Sequence, residues 1–491
     1  MSVQLYDSAT RSLRPLEPVT PGLVRIYLCG ATVQSSPHIG HLRAALAFDA
    51  LVRWLRRRGL QVHYVRNVTD IDDKILQKSA ANDTAWWAWA QRFEREFAAA
   101  YRALGAVEPD YEPRATGHIP EQIALVERLI DRGHAYDDGN GNVYFSVTSL
   151  PDYGSLTRQN LRDLSTTEDD SQIDAATEAG KRDSRDFALW KAAKPTEPHT
   201  ASWDSPWGRG RPGWHLECSA MSHKYLGETF DIHGGGIDLR FPHHENEQAQ
   251  SHAAGWGFAN MWVHNAWVTT KGEKMSKSLG NSLIVSELLD EVPAAVLRFA
   301  LCTVHHRSTI EWSDELLDTA GAAWQKLTSF TTNAATLLAD THDSDIEQVR
   351  AQTAPAALEF DHLPEAFVTA MDDDLNVAAA LAVIWEQVRL GNTALAEVQV
   401  EAVSTHLHNV RAMTDILGLD PLGSQWYERA DADANTSAAL ATLVDALIAE
   451  RAQARSARNW ERADQIRDQL SDAGITVEDS AAGARWHVRG E

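Results

Sequence analysis

The chain has 491 residues, with 45 Lys and Arg against 69 Asp and Glu, a net charge of −24 and three cysteines. At roughly 150 residues per domain this length suggests about three domains, and Cys29, Cys218 and Cys302 are too few, and odd in number, for a disulfide framework. The best apolar run, residues 44–55, is cut by Asp49 and Arg53, and residues 1–7 lack the basic and apolar regions of a signal peptide, so no membrane span and a cytoplasmic location are expected.

Residues 24–29 read as a buried strand that ends on Cys29, followed by a loop with Gly30 and Pro37. A helix is predicted to begin near Gly40, with Ala45, Phe48, Val52 and Leu55 at helical spacing and Gly59 as its stop. Its first turn is His38-Ile39-Gly40-His41. A helix N-terminus offers unpaired N–H groups and a positive dipole end to phosphate. Gly40 lets a nucleotide approach the backbone, and His38 and His41 can donate to phosphate oxygens as charge grows on them. Residues 62–68 read as a second strand, followed by Thr69-Asp70-Ile71-Asp72-Asp73-Lys74. Alternating strands and helices predict an α/β domain on a doubly wound parallel sheet. Trp86, Trp87 and Trp89 lie in a helical run, so packing is expected of them ahead of base stacking. Residues 116–212 read as an insertion, with a turn and strand at 140–145 and a polar exposed loop at 165–171.

After the insertion come residues 213–221 with Trp214 and Cys218, residues 231–238 with Asp238, and residues 241–247. If a helix starts after Pro242, His243 and Glu247 share one face at i and i+4. Two thiolates, an imidazole and a carboxylate suit zinc. The cysteines are far apart in the chain, however, and spacing alone favours free buried cysteines and a surface His–Glu pair. Lys274-Met275-Ser276-Lys277-Ser278 lies in a polar stretch with the composition of a mobile loop. A lysine there, Lys277 first, can reach the leaving group of an attack on an α-phosphate. By itself such a loop would be solvated surface.

Beyond Asn281 the pattern turns helical. The setting of Cys302 in residues 297–302 suggests core packing, and Leu381, Ile384, Trp385 and Val388 form an apolar stripe. The acidic residues Asp372, Asp373 and Asp374 before it read as a helix-start signal. From about residue 438, Arg451, Arg455 and Arg458 fall on one helical face, with Arg462 and Arg467 close by. The acidic balance of the chain lowers the expectation of a polyanionic partner, yet phosphate binding needs only such a local stripe. Interleaved acids also allow ordinary surface ion pairs. Two short strands, 475–477 and 485–488, surround a turn at 480–483.

The His38 and Lys274 motifs in this order resemble the two-part signature of class I aminoacyl-tRNA synthetases. Together with residues 29–33, 67–74, 213–221 and 243–247, they resemble the cysteinyl-tRNA synthetases over nearly the whole chain. The resemblance implies a Rossmann-type catalytic domain at 1–115 and 213–285, a connective insertion at 116–212 and a stem-contact region at 286–345. It further implies a helical anticodon-binding bundle at 346–430 and a small C-terminal α+β anticodon-binding domain at 431–491. It implies one zinc per chain on Cys29, Cys218, His243 and Glu247, and an amino-acid pocket of Cys29, Thr69, Trp214 and Asp238. It places ATP on His38, Gly40, His41 and Lys277, and makes His38, His41, Lys274 and Lys277 catalytic.

The activity implied is ligation of L-cysteine to tRNA(Cys) through a cysteinyl-adenylate, using ATP with Mg2+, by a monomer. The alternative is the cysteine ligase of mycothiol biosynthesis, which acts on an amino sugar and lacks a full tRNA-binding C-terminal region. About 200 residues after Asn281 favour the synthetase. A non-catalytic tRNA-binding paralogue would not need the intact His and Lys motifs.

Overall fold

The computed structural model describes residues 2–167, 178–270, 273–274, 283–456, 459–473, 475–480 and 483–488. They form two compact units, Met1–Pro421 and Leu422–Glu491.

The first unit opens with the hairpin β1 (Gln4–Asp7) and β2 (Ser12–Pro15), then β3 (Leu23–Leu28), α1 (Ile39–Arg57) and β4 (Gln61–Arg66). β3 and β4 pair in parallel, as a strand–helix–strand unit requires. Buried Leu42, Ala45, Leu46, Val52 and Leu55 at helical spacing hold α1 on the sheet. Gly59 ends the turn after α1 at φ +80, a conformation that suits glycine. α2 (Asp73–Ala81) and α3 (Trp86–Ala103) follow. Trp86 and Trp89 pack against the core, whereas Trp87 is 57% exposed, so the packing expectation fails there. The helical spacing that buries one ring turns its sequence neighbour outward.

The insertion contributes α4 (Ile119–Asp131) and an antiparallel sheet, β5 (Ala135–Asp137), β6 (Val143–Phe145), β7 (Phe187–Ala192) and β8 (Gly210–Pro212). Most of the expected polar loop at 165–171 lies outside the described residues. The chain then returns through α5 (Trp214–Leu226), β9 (Thr229–Gly236), α6 (His243–Ala253) and β10 (Phe258–Asn265). The catalytic sheet has the order β10-β9-β3-β4, all parallel. Its strand ends, the start of α1 and the start of α5 surround one cleft, at the carboxyl edge where such sheets bind ligands. A small sheet of β11 (Val268–Thr270), β12 (Glu273–Lys274) and β13 (Ile310–Glu311) follows β10.

α7 (Val285–Glu291) and α8 (Ala294–Cys302) lead into a helical bundle of α9 (Asp314–Thr341), α10 (Ile346–Gln352), α11 (Glu365–Asp372), α12 (Val377–Ala396) and α13 (Val400–Ile416). Cys302 is buried with Leu297 and Leu301, in agreement with core packing. In the α12 stripe, Ile384 and Val388 are buried while Leu381 and Trp385 are half-buried.

The acidic run before α12 does something different from the expected helix start. Asn376 caps the helix, accepting the Ala379 N–H at 3.2 Å. Asp374, at φ +55, accepts the Tyr6 N–H at 2.8 Å and Arg307 at 2.6 Å. Asp372 accepts the Trp54 indole N–H at 3.1 Å. These carboxylates therefore tie the bundle to β1 and α1. Arg298 of α8, fully buried, joins Asp49 of α1 and the Leu417 carbonyl.

The second unit holds α14 (Ser424–Ser456), α15 (Trp460–Asp472) and an antiparallel pair, β14 (Ile475–Ser480) and β15 (Gly483–Val488). Val444, Ile466, Leu470 and Ile475 form its core. Of the arginines close to the expected Arg451, Arg455 and Arg458 face, Arg462 pairs with Glu450 at 2.8 Å and Arg467 with Asp464 and Asp468 at 3.4 and 3.3 Å. These three are ordinary surface ion pairs, and Arg458 lies outside the described residues.

Candidate active site

The cleft has a volume of about 360 Å³, and residues from both halves of the catalytic sheet line it. His38, Gly40 and His41 face it from the start of α1. His38 is the extended N-cap; its N–H donates to His41 Nδ1 at 3.1 Å, and the two rings stack at 3.7 Å. An accepting Nδ1 leaves the His41 proton on Nε2. Gly30 is required by close approach, because a Cβ there would stand 1.7 Å from the Asn67 carbonyl oxygen. Its N–H donates to Asn67 Oδ1 at 2.8 Å, which locks the loops after β3 and β4 together.

Cys29 directly follows β3, Cys218 lies within α5, and His243 and Glu247 occupy the first two turns of α6, all buried. One ligand atom from each of the four lies within 4.8 Å of the others. Zinc bond lengths of about 2.3 Å to sulfur and about 2.0–2.1 Å to nitrogen and oxygen give tetrahedral edges of about 3.8 Å for S···S, 3.5 Å for S···O and 3.3 Å for N···O. Cys29 Sγ to Cys218 Sγ is 3.8 Å, Cys29 Sγ to Glu247 Oε1 is 3.4 Å, and His243 Nε2 to Glu247 Oε1 is 3.1 Å. The residues fit a tetrahedral zinc site. Burial pushes the Cys218 thiol up to about 11 and the Cys29 thiol well above its ordinary value. Burial likewise lowers His243 to about 4, so its imidazole is neutral and able to ligate at neutral pH.

Further histidines surround the ligands. His233 Nε2 lies 2.8 Å from Glu247 Oε2, and the Nδ1 atoms of His215 and His243 are 2.9 Å apart. His244 contacts His264 at 2.9 Å, which reaches Ser8 at 2.7 Å. Cys29, His233, His244 and Glu247 are a second set of close donors. In that set His233 Nε2 lies against Glu247 Oε2, and His244 turns its Nε2, which has no hydrogen-bond partner among the described residues, toward Glu247 Oε1 at 4.0 Å. Trp214 stacks on His243 at 4.2 Å and, with Asp238, lines the cleft. Thr69 does not line it: its hydroxyl is buried and donates to Glu217 Oε2 at 2.8 Å. The Lys274 backbone pairs with Thr269 in the β11–β12 hairpin, while Lys277 and the Lys274 side chain lie outside the described residues.

Residues 15–322 match the family described as tRNA synthetases class I (C) catalytic domain, residues 366–421 a DALR domain, and residues 437–489 a cysteinyl-tRNA ligase anticodon binding domain. A cysteine–tRNA ligase of Beutenbergia cavernae is 58% identical over 490 residues, covering 100% of both chains. The chain belongs to the cysteine–tRNA ligase family. Other family members include that of Streptomyces griseus, 51% identical over 99% of each chain. The Streptomyces coelicolor member is 52% identical over 99% of this chain and 76% of its own.

In fold, this cysteine–tRNA ligase family member is similar to Mycobacterium tuberculosis methionyl-tRNA synthetase in complex with methionyl-adenylate. That match has a TM-score of 0.57 and 16% identity, over 82% of this chain and 91% of the other. Sequence reasoning missed His215, His233, His244 and His264, each buried beside the cluster. The available signal was density: these four and His243 fall between residues 215 and 264. It also missed Gly30 and Asn67, which only the crossing of two loops reveals.

Proposed function

We propose that the protein ligates L-cysteine to tRNA(Cys) in two ATP-dependent steps, with zinc on Cys29, Cys218, His243 and Glu247 selecting the substrate thiol. One observation carries this reading: four metal donors converge, and one of them, Cys29, lines the same cleft as the His38 and His41 helix terminus. Bound zinc would supply a Lewis acid that favours a thiol over the alcohol of serine, a pair that an apolar pocket separates by only about 1–3 kcal/mol.

The protein's own groups position and stabilise charge. Trp214 and Asp238 bound the cleft, with Asp238 Oδ1 accepting the Trp267 indole N–H at 3.3 Å. In the first step a cysteine carboxylate oxygen attacks the α-phosphorus of ATP and pyrophosphate leaves. The α1 N–H groups and His41 Nε2–H face the phosphate whose charge grows, with Lys274 and Lys277 assigned to the leaving group. In the second step a hydroxyl of the terminal adenosine attacks the cysteinyl carbonyl and AMP leaves.

Cysteine-dependent ATP–pyrophosphate exchange, followed by charging of purified tRNA(Cys) beside the amino-sugar acceptor, tests the reading. Exchange with cysteine and charging of tRNA alone are expected. Transfer to the amino sugar instead would favour the mycothiol-type ligase, against which the DALR and anticodon-binding matches weigh.

A further inference from the structure

We propose that Lys74 positions the acceptor end of the tRNA by binding its last phosphodiester during cysteinyl transfer; this rests on the functional reading above. Lys74 lies in the first turn of α2, half-buried, and lines the cleft. Its ammonium makes no hydrogen bond or ion pair among the described residues.

The acids beside it are engaged elsewhere. Asp72 caps α2, accepting the Lys74 backbone N–H at 2.7 Å. Asp73 turns away to Lys191 of β7 at 2.8 Å and to Arg211 of β8, which also meets Glu197 at 2.6 Å. Lys191 and Arg211 are both buried. Arg66 lines the same wall, but Glu112 holds its Nε and Nη2 at 3.0 and 2.7 Å and its guanidinium lies 3.9 Å from the Tyr101 ring centroid. Of these two cations, Lys74 alone turns an uncompensated charge into the cleft, and such a charge calls for an anionic ligand.

Sheet order indicates which anion. The phosphate cradle on α1 follows β3, and the segment bearing Lys274 and Lys277 follows β10 at one edge of the sheet. Lys74 follows β4, the last strand at the opposite side, and its helix is bolted to the inserted domain through Asp73. The ATP tail is thus served from the β3 and β10 side, and the amino acid ends at Cys29. The substrate anion left for the β4 side is the acceptor strand, entering between the catalytic sheet and the insertion.

The test compares Lys74→Met and Lys74→Arg with the wild type in pyrophosphate exchange and in single-turnover transfer from preformed cysteinyl-adenylate. An acceptor minihelix carrying a neutral methylphosphonate as its last linkage completes the set. In Lys74→Met, transfer should fall about 10- to 100-fold further than exchange, the range for losing one charge-assisted hydrogen bond. Lys74→Arg should recover most of the loss. The methylphosphonate should slow the wild type but add nothing to Lys74→Met. Exchange falling as far as transfer would assign the ammonium to ATP or to cysteine and overturn the proposal. So would an unchanged transfer rate, or a methylphosphonate effect as large in the variant as in the wild type. A wild type that fails cysteine-dependent exchange would overturn the functional reading itself, a distinct result.

Discussion

Replacing Cys218 by serine should weaken zinc binding and change its pH dependence in a way that counts the thiols. The Cys29 and Cys218 sulfurs stand 3.8 Å apart, the edge expected of two zinc thiolates, and both are buried. Losing a partner outside the coordination sphere costs about 10–100-fold in metal affinity, so losing a ligand should cost at least about 100-fold, or about 2.7 kcal/mol.

The slope follows from the protonation states without metal. Burial holds Cys218 at about 11 and Cys29 higher than usual, so each gives up a proton on ligating zinc near neutrality. His243, lowered to about 4, is already deprotonated and gives up none. Affinity therefore rises with pH by about tenfold per unit for each proton displaced, about 100-fold per unit in the wild type and about tenfold in Cys218→Ser. The gain is lost as pH falls. Competition of the zinc-stripped proteins against a chromophoric chelator between pH 6 and 8 measures both quantities. The variant should also raise KM for cysteine far more than KM for ATP. Equal slopes in the two proteins, or full zinc retention by the variant, would refute the four-ligand assignment.

Lys277→Ala should slow adenylate formation by on the order of 10²–10³-fold with a smaller effect on cysteine binding, since the lysine acts on charge that develops in the transition state. Rapid-quench kinetics would read this, and an unchanged activation rate would remove Lys277 from the mechanism. A protein ending at Pro421, the boundary of the first compact unit, should retain cysteine-dependent exchange and lose tRNA charging mainly through KM. Charging at the full-length rate would show that residues 422–491 are not a recognition domain. Arg298→Met leaves the Asp49 carboxylate short of a buried partner and should cost about 3–5 kcal/mol, lowering the Tm of the first unit by roughly 3–6 °C. Calorimetry showing a shift under about 1 °C would mean that Arg53, 3.0 Å from Asp49, suffices.

The local signals in the sequence were enough for the strand, loop and helix around His38, because helical spacing and a glycine stop act over a few residues. They also sufficed for the i, i+4 pair of His243 and Glu247 and for the parallel α/β class. They could not say whether Cys29 and Cys218 meet, since that depends on β3 and α5 packing side by side after an inserted domain has intervened; resemblance alone supplied the pairing. The acidic run at 372–374 shows the same limit from the other side. Its composition suggested a helix start, but its carboxylates bind Trp54, Tyr6 and Arg307, partners more than sixty residues away in sequence. The uncompensated charge of Lys74 is likewise a tertiary fact, because it exists only once Asp73 has turned to Lys191 and Arg211. Periodicity and capping are short-range and written in consecutive residues, whereas ligand convergence and charge compensation depend on which distant surfaces the fold brings within a few ångströms.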